Sequence, residues 1–202
     1  MLYEKWRMSL LEARAAIKIP INWSSLIPKP PSSNSSITQK ELQTVKRMAN
    51  NRSKSDLQLI KQVDDDPSSP LKDVLKKHNL TFPKKDFDKL YKILQPIILN
   101  LKRHFARPRP YALDRSIKAI DSKTHKNYLS YPSGHVAYAA LSEKLLSKKY
   151  PEHKEEFEKA LSDVGKARML MGVHYISDNE AGEKLVNKLW PVFEKELVND
   201  KS

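Results

Sequence analysis

The sequence predicts an all-α protein, and three observations carry that prediction. Only 4 of the 202 residues are glycine, and several stretches repeat apolar residues at the spacing of a helix. No two segments have the pattern of strands joined by a tight turn. Hydrophobic residues make up 39% of the chain and charged residues 30%, a globular composition at a length that fits one domain.

Residues 1–35 are expected to form a helical segment followed by an arm rich in Pro and Ser, PINWSSLIPKPPSSNSS, which begins at Pro20. The opening segment carries a charge every few residues, unlike a signal peptide. No apolar run approaches the roughly 18 residues that a membrane span needs. We therefore expect a cytoplasmic or otherwise soluble protein with no signal peptide or transmembrane segment, in which residues 36–202 form one all-α domain.

The first helices of that domain follow from caps and apolar spacing. Thr38 and Glu41 in TQKE have the form of a capping box and predict a helix start at Thr38. The run DDDPSSP then interrupts the chain, and Pro70 is expected to begin a short helix. A longer apolar stripe predicts a helix from Lys85 to about Phe105.

The second half of the domain is expected to be a loop followed by three helices. The loop covers about 107–132. The helices run from His135 to about 149, from about 151 to 171 with Gly172 as the stop, and from about Asp178 to 198.

The composition narrows the classes of function. Lys and Arg exceed Asp and Glu by 37 to 24, a net charge of +13, and there is no cysteine. Disulfides and thiol chemistry are therefore excluded. The positive charge fits nucleic acid, a membrane surface, small anionic substrates or simply a lysine-rich solvated surface. The basic residues are scattered, without the dense basic block of a dedicated nucleic-acid binder.

Two cations lie on helix faces that are otherwise apolar. Arg168 shares its face with Val164 and Met171, and a guanidinium buried without a partner is costly, so it must meet an anion or a carboxylate. A structural ion pair would satisfy it equally well. Lys102 lies beside Ile98 and Phe105 on the long helix, where the alternative is a lysine that snorkels at the helix edge.

Further candidate residues stand at turns. Arg107 and Arg109 alternate with prolines in ARPRPY, which stiffens that backbone, although plain surface arginines are the alternative. His174 precedes Asp178 by four residues, so the carboxylate can orient the imidazole as a base or nucleophile, unless Asp178 is only an N-cap. His135 ends the turn YPSGH just where a helix begins. Such a set suits a tetrahedral anion, with cations and helix N–H groups around it and one histidine each for attack and protonation.

These residues resemble the three signatures of the type 2 phosphatidic acid phosphatase superfamily, in its soluble branch near the bacterial class A nonspecific acid phosphatases. The stretches KRHFARPRP, PSGH and ARMLMGVHYISD occur in the order and spacing of that family. The resemblance extends over about residues 20–190. It implies an all-α helical bundle of the kind shared with the vanadium haloperoxidases, with the site among the helix ends.

The resemblance also implies a role for each residue. His174 would be the nucleophile that forms a phosphohistidine, Asp178 would orient it, and His135 would be the general acid. The residues expected to bind the substrate phosphate are Lys102, Arg109, Ser133, Gly134 and Arg168. No metal and no cofactor are implied, and phosphate or vanadate is expected only as an inhibitor.

Two departures and several alternatives accompany the resemblance. Ala167 stands where the family has Ser, which predicts one missing hydrogen bond, and Val136 stands where relatives often have Thr. The expected substrate is a small phosphomonoester, with no stable nucleic-acid partner and a homo-oligomer as an open possibility. The alternatives are a lipid-phosphate phosphatase at membrane surfaces, a vanadium-dependent haloperoxidase, and a basic binding module with an inactive site.

Overall fold

The computed structural model describes residues 25–120 and 129–198, and within them the chain is all-α, as predicted, with no β-strand. The helical segment expected near the N-terminus falls largely in 1–24, outside the described residues. A short 3-10 turn, Pro151–His153, precedes the seventh helix. In chain order the α-helices are α1 (Ser36–Asn50), α2 (Lys54–Asp65), α3 (Ser69–Lys77), α4 (Lys84–Phe105), α5 (Pro110–Leu113), α6 (Gly134–Lys149), α7 (Lys154–Leu170) and α8 (Ile176–Val198).

Helix α6 lies at the centre of the bundle and packs against α4, α7 and α8. A helix that is apolar on all sides is buried on all sides, and α6 contains buried residues all along the run from Val136 to Leu146. The surrounding helices bury one face each, as the apolar stripes of α4 and α7 predict. None of the helices in the described part of the chain combines the length and the apolar composition needed to cross a bilayer.

The start of α1 differs from the prediction. Ser35, not Thr38, is the N-cap, and its hydroxyl accepts a hydrogen bond from the Thr38 N–H at 3.2 Å. The Thr38 hydroxyl instead donates to the carbonyl of Ser32 at 2.8 Å. The predicted capping box is wrong because the helix begins at Ser36, before Thr38, and Glu41 instead accepts a hydrogen bond from the buried guanidinium of Arg107 at 3.0 Å.

Helix α2 is not among the predicted helices. Its N-terminus has a capping box, in which Ser53 and Asp56 bond each other's backbone N–H. Its apolar face is short, with Ile60 and Val63 buried while Leu57 is exposed, so the sequence pattern is weak. The helix is stabilised by packing on α7, a tertiary effect that sequence spacing does not reveal.

The helix ends around the loop between α7 and α8 set the position of the candidate site. Gly172 ends α7 with φ +80°, and a Cβ there would lie 3.0 Å from the Ile117 side chain, so this position needs glycine. Helix α8 begins at Ile176, two residues earlier than predicted. Asp178 is therefore inside the first turn of α8 and is not its N-cap.

The described part of the Pro/Ser-rich arm packs against the bundle. Ile27 is buried in the main hydrophobic core. The Tyr131 hydroxyl donates to the carbonyl of Pro28 at 2.5 Å. The arm thus lies against the turn that leads into α6.

Candidate active site

The residues predicted for the site come from four regions of the chain, and the fold brings them together at one end of the bundle. Lys102 lies in the last turn of α4, Arg168 in the last turn of α7, and His135 in the first turn of α6. His174 interacts electrostatically with Arg109 as well as with these three residues, which places all of them around one imidazole.

His174 is held by Asp178 at the floor of the site. Its Nδ1 lies 3.2 Å from Oδ2 of Asp178, and both side chains are buried. The same carboxylate oxygen accepts the N–H of Tyr175 at 3.0 Å, which fixes the carboxylate in the first turn of α8. With the proton on Nδ1, the second ring nitrogen, Nε2, keeps its lone pair and can act as a nucleophile.

Arg107 and Glu41 support Asp178 from behind. The Arg107 guanidinium donates to Oδ1 of Asp178 at 2.6 Å and to Oε2 of Glu41 at 3.0 Å. It also lies 3.8 Å from the centre of the Tyr175 ring. Glu41 in turn accepts the backbone N–H of Ser177 at 2.6 Å, which ties α1 to the start of α8. Arg107 is thus a buried arginine paired with two carboxylates and not a surface arginine. The part played by Glu41 is not foreseen from the sequence.

Burial and nearby charge determine the protonation of this pair. Burial lowers the pKa of His174 well below its usual 6.5, and the positive charges of Arg109 and Lys102 lower it further. Both effects favour the neutral form of the imidazole. Burial also raises the pKa of the Asp178 carboxyl, while Arg107 and the Tyr175 N–H oppose that rise through hydrogen bonds that favour the carboxylate.

Lys102 is buried, so it does not snorkel at the edge of α4. Its ammonium group donates to the carbonyls of Leu129 at 2.7 Å and Ser130 at 3.2 Å. Burial lowers its pKa to about 7, and the charge of Arg109 adds to the effect. Arg109 is held in its turn by a 2.9 Å hydrogen bond to the carbonyl of Val173.

Arg168 meets a carboxylate, which is one of the two partners expected for a cation on an apolar face. Its guanidinium donates to Oδ1 of Asp64 at 2.8 Å, and burial lowers its pKa to about 10. The same Asp64 oxygen lies 3.8 Å from Nε2 of His135. Asp64 therefore joins the buried cation to the more exposed histidine. The sequence shows that Arg168 needs a partner, but it does not show which of the 24 acidic residues supplies it.

The turn before α6 brings helix N–H groups to the site. The Ser133 N–H donates to the Asp178 carbonyl at 2.9 Å, and the first intrahelical bond of α6 runs from Ala137 to Ser133. The amides of Gly134, His135 and Val136 thus form the open first turn of the helix, where anions bind well. The Ser133 hydroxyl is buried and has no hydrogen-bond partner within the described residues.

Gly182 allows α8 to approach this turn closely. A Cβ at this position would lie 2.7 Å from the Ser133 carbonyl and 3.1 Å from the Ala137 nitrogen. Only a glycine fits at that distance from two backbone atoms. The contact keeps Asp178, one turn earlier on α8, beside Ser133.

The chain is similar to known phosphatases in sequence and in fold. Residues 90–183 match the model of the PAP2 superfamily. Over 83 residues the chain is 35% identical to the non-specific acid phosphatases of Salmonella typhimurium LT2 and Salmonella typhi, and the match covers 40% of this chain. The chain spans only 33% of the length of those curated relatives.

A solved structure extends the likeness to the whole fold. The transmembrane PAP2-type phosphatidylglycerolphosphate phosphatase from Bacillus subtilis aligns with 96% of this chain and 95% of its own, at a TM-score of 0.54 and 17% identity. At that identity the likeness concerns the fold alone. Glu41 and Asp64 lie outside the part matched by the family model. Residues 90–183, the part of the chain that matches the PAP2 superfamily model, contain every predicted site residue from Lys102 to Asp178.

Proposed function

We propose that this protein hydrolyses phosphate monoesters through a covalent phosphohistidine on His174. The observation that carries the proposal is a buried imidazole, oriented by Asp178, in a site that three buried cations share. Burial and these cations lower the pKa of His174, which favours its neutral form. Attack on a phosphate dianion requires a neutral nucleophile and cationic groups that offset the charge of the phosphate. The likeness to acid phosphatases supports the same conclusion.

The reaction then has two displacements. Lys102, Arg109 and Arg168 neutralise the phosphate oxygens, and the amides at the start of α6 bind them. Nε2 of His174 attacks phosphorus, the ester P–O bond breaks, and His135 gives its proton to the departing oxygen. Water next attacks the phosphohistidine and loses a proton to His135, and the P–N bond breaks to release phosphate. Neither step calls for a metal or a cofactor.

The leaving group is expected on the side of His135. The side chains of His135 and Asp64 are 21% and 24% exposed, whereas Arg168, His174 and Asp178 are buried. A substrate therefore enters with its phosphate first and leaves its alcohol part near His135. This arrangement suits a general acid better than a nucleophile at that position.

The nature of the alcohol part is tested by a substrate panel. The purified chain should be given an aryl phosphate, nucleotides, sugar phosphates and a phosphatidate in detergent micelles, with and without a chelator. Release of phosphate that survives the chelator supports the proposal. A preference for phosphatidate would identify the lipid-phosphate alternative. Bromide oxidation with vanadate and peroxide, without phosphate release, would instead identify a haloperoxidase.

The pKa of Lys102 predicts how activity depends on pH. The ammonium form binds phosphate, and with a pKa of about 7 it is lost in the free enzyme as the pH rises through 7. Above that pH, kcat/KM should fall about tenfold per pH unit. Bound phosphate favours the ammonium, so the fall in kcat should begin at a higher pH.

A substitution at Lys102 tests whether this residue causes the alkaline fall in activity. Arginine stays charged at all these pH values, so Lys102→Arg should move the alkaline fall of kcat/KM to higher pH, even at reduced activity. The matched control is Lys92→Arg, an exposed lysine on the same helix, which should leave the profile unchanged. An unmoved profile in Lys102→Arg would remove Lys102 as the titrating group.

Asp64→Asn should tighten inhibition by inorganic phosphate. Removing one negative charge from the partner of Arg168 leaves the site more positive, and an asparagine oxygen can still accept the guanidinium hydrogen bond. The inhibition constant should fall by about tenfold, the effect of one nearby charge at intermediate dielectric. The measurement is competitive inhibition at constant ionic strength.

The control for Asp64→Asn is the same substitution at the next residue in the chain, Asp65. Asp65→Asn removes a charge from the same helix, but Asp65 pairs with exposed Lys61 at the surface. Phosphate inhibition should be unchanged in that variant. An equal tightening in both variants would mean that general charge, and not contact with Arg168, is responsible.

A further inference from the structure

We propose that His78, His153 and Glu156 bind one transition-metal dication of the zinc type at a surface site separate from the active site. We call these three residues the His–Glu cluster. Each offers one ligand atom, and the three atoms lie within 4.8 Å of one another. Two imidazoles and one carboxylate form a donor set that zinc favours, with a fourth position open to water.

The geometry of the cluster centres on one carboxylate oxygen. Oε1 of Glu156 lies 2.8 Å from Nε2 of His78 and 3.6 Å from Nδ1 of His153. The two rings are stacked, with centroids 3.9 Å apart and planes 28° apart. The three ligand atoms are therefore close enough for one ion to reach, once the stacked rings turn about their Cβ–Cγ bonds to direct both nitrogen lone pairs at it.

Charged neighbours support these ligands. Lys77 binds the other oxygen of Glu156, Oε2, at 2.6 Å, which leaves Oε1 for a metal. Oε1 of Glu152 lies 3.8 Å from the outer nitrogen of His153, Nε2. A carboxylate on the outer nitrogen of a histidine orients the inner nitrogen toward a metal and raises its basicity.

The ligands come from the end of α3, the 3-10 turn and the first turn of α7, which contains Glu156. His78 is the C-cap of α3, and its N–H donates to carbonyls of the last turn. His153 closes the 3-10 turn before α7, with its N–H bonded to the carbonyl of Tyr150 at 3.1 Å. Because α3 and α7 pack together, a bound ion would clamp the end of one helix to the start of the other. Its role would be to stabilise the fold, and catalysis would not pass through it.

Zinc titration of the full chain tests this site. Calorimetry should show one equivalent of Zn²⁺ bound by His135→Ala protein, a background that removes the partly exposed histidine of the active site. Zinc at about 100 times its dissociation constant should raise the melting temperature by roughly 5 °C or more. Cobalt(II) should give the intense visible bands of a four-coordinate ion.

Variants identify the ligands. In the same background, His78→Ala and His153→Ala should each weaken zinc binding at least tenfold and remove the cobalt bands. His104→Ala, at an exposed histidine of α4, is the matched control and should bind as before. Phosphatase activity in His153→Ala without the His135 change should stay at the wild-type level, so a failure of the proposed function is distinguished from a failure of this site. No binding, or binding that neither cluster variant reduces, would overturn the proposal.

Discussion

His174→Ala should abolish phosphate release from every substrate, with a loss on the order of 10⁶-fold in kcat, as expected when a nucleophile is removed. Among the described residues around it, the cations are donors and His135 lies at the more exposed side of the site, so we expect none of them to replace the nucleophile. In wild-type enzyme quenched during turnover, the phosphate label should be found on His174. Mass spectrometry at neutral to alkaline pH, where phosphohistidine survives, makes the assignment.

The control for this prediction is a histidine outside the site. His104→Ala removes an exposed histidine on α4 and should keep full activity. Full turnover by His174→Ala would contradict the proposed mechanism. Label on His135 would exchange the roles of the two histidines.

His135→Ala should slow alkyl phosphates far more than aryl phosphates. A nitrophenolate leaves readily without a proton, whereas a sugar or nucleoside alkoxide is far less stable at the transition state. The difference between the two classes should be on the order of 10²-fold or more, the range of general acid catalysis. The measurement is kcat/KM for p-nitrophenyl phosphate and for a sugar phosphate, in the wild type and in the variant.

The contrast with His174 makes this prediction specific. His174→Ala should remove both activities alike, since neither substrate reacts without the nucleophile. A melting curve should show that His135→Ala is folded, which its partial exposure favours. Equal losses on the two classes in the folded variant would count against His135 as the acid.

The sequence by itself determined the helices with strong apolar stripes. Apolar residues at helical spacing predict the buried faces of α4 and α7. Gly172 predicts the end of α7, because a glycine adopts the positive φ found there. The residues that gather around His174 were also predictable, because each stood at a turn or on an otherwise apolar face. Helix α2 was not, because its short apolar face leaves its stability to packing against α7.

The tertiary structure decided the partners of the charged residues. Arg168 needed an acid, yet Asp64 is 104 positions away in the chain. Arg107 could be taken for a surface residue until burial placed it between Glu41 and Asp178. The lowered pKa of Lys102 likewise results from the burial of its own ammonium group in the folded bundle. The physical reason is that the spacing of side chains in the sequence shows only which residues share a helix face. The partner and the pKa of a charged residue depend on its desolvation and on its distance from other charges, and both are set only when the helices pack.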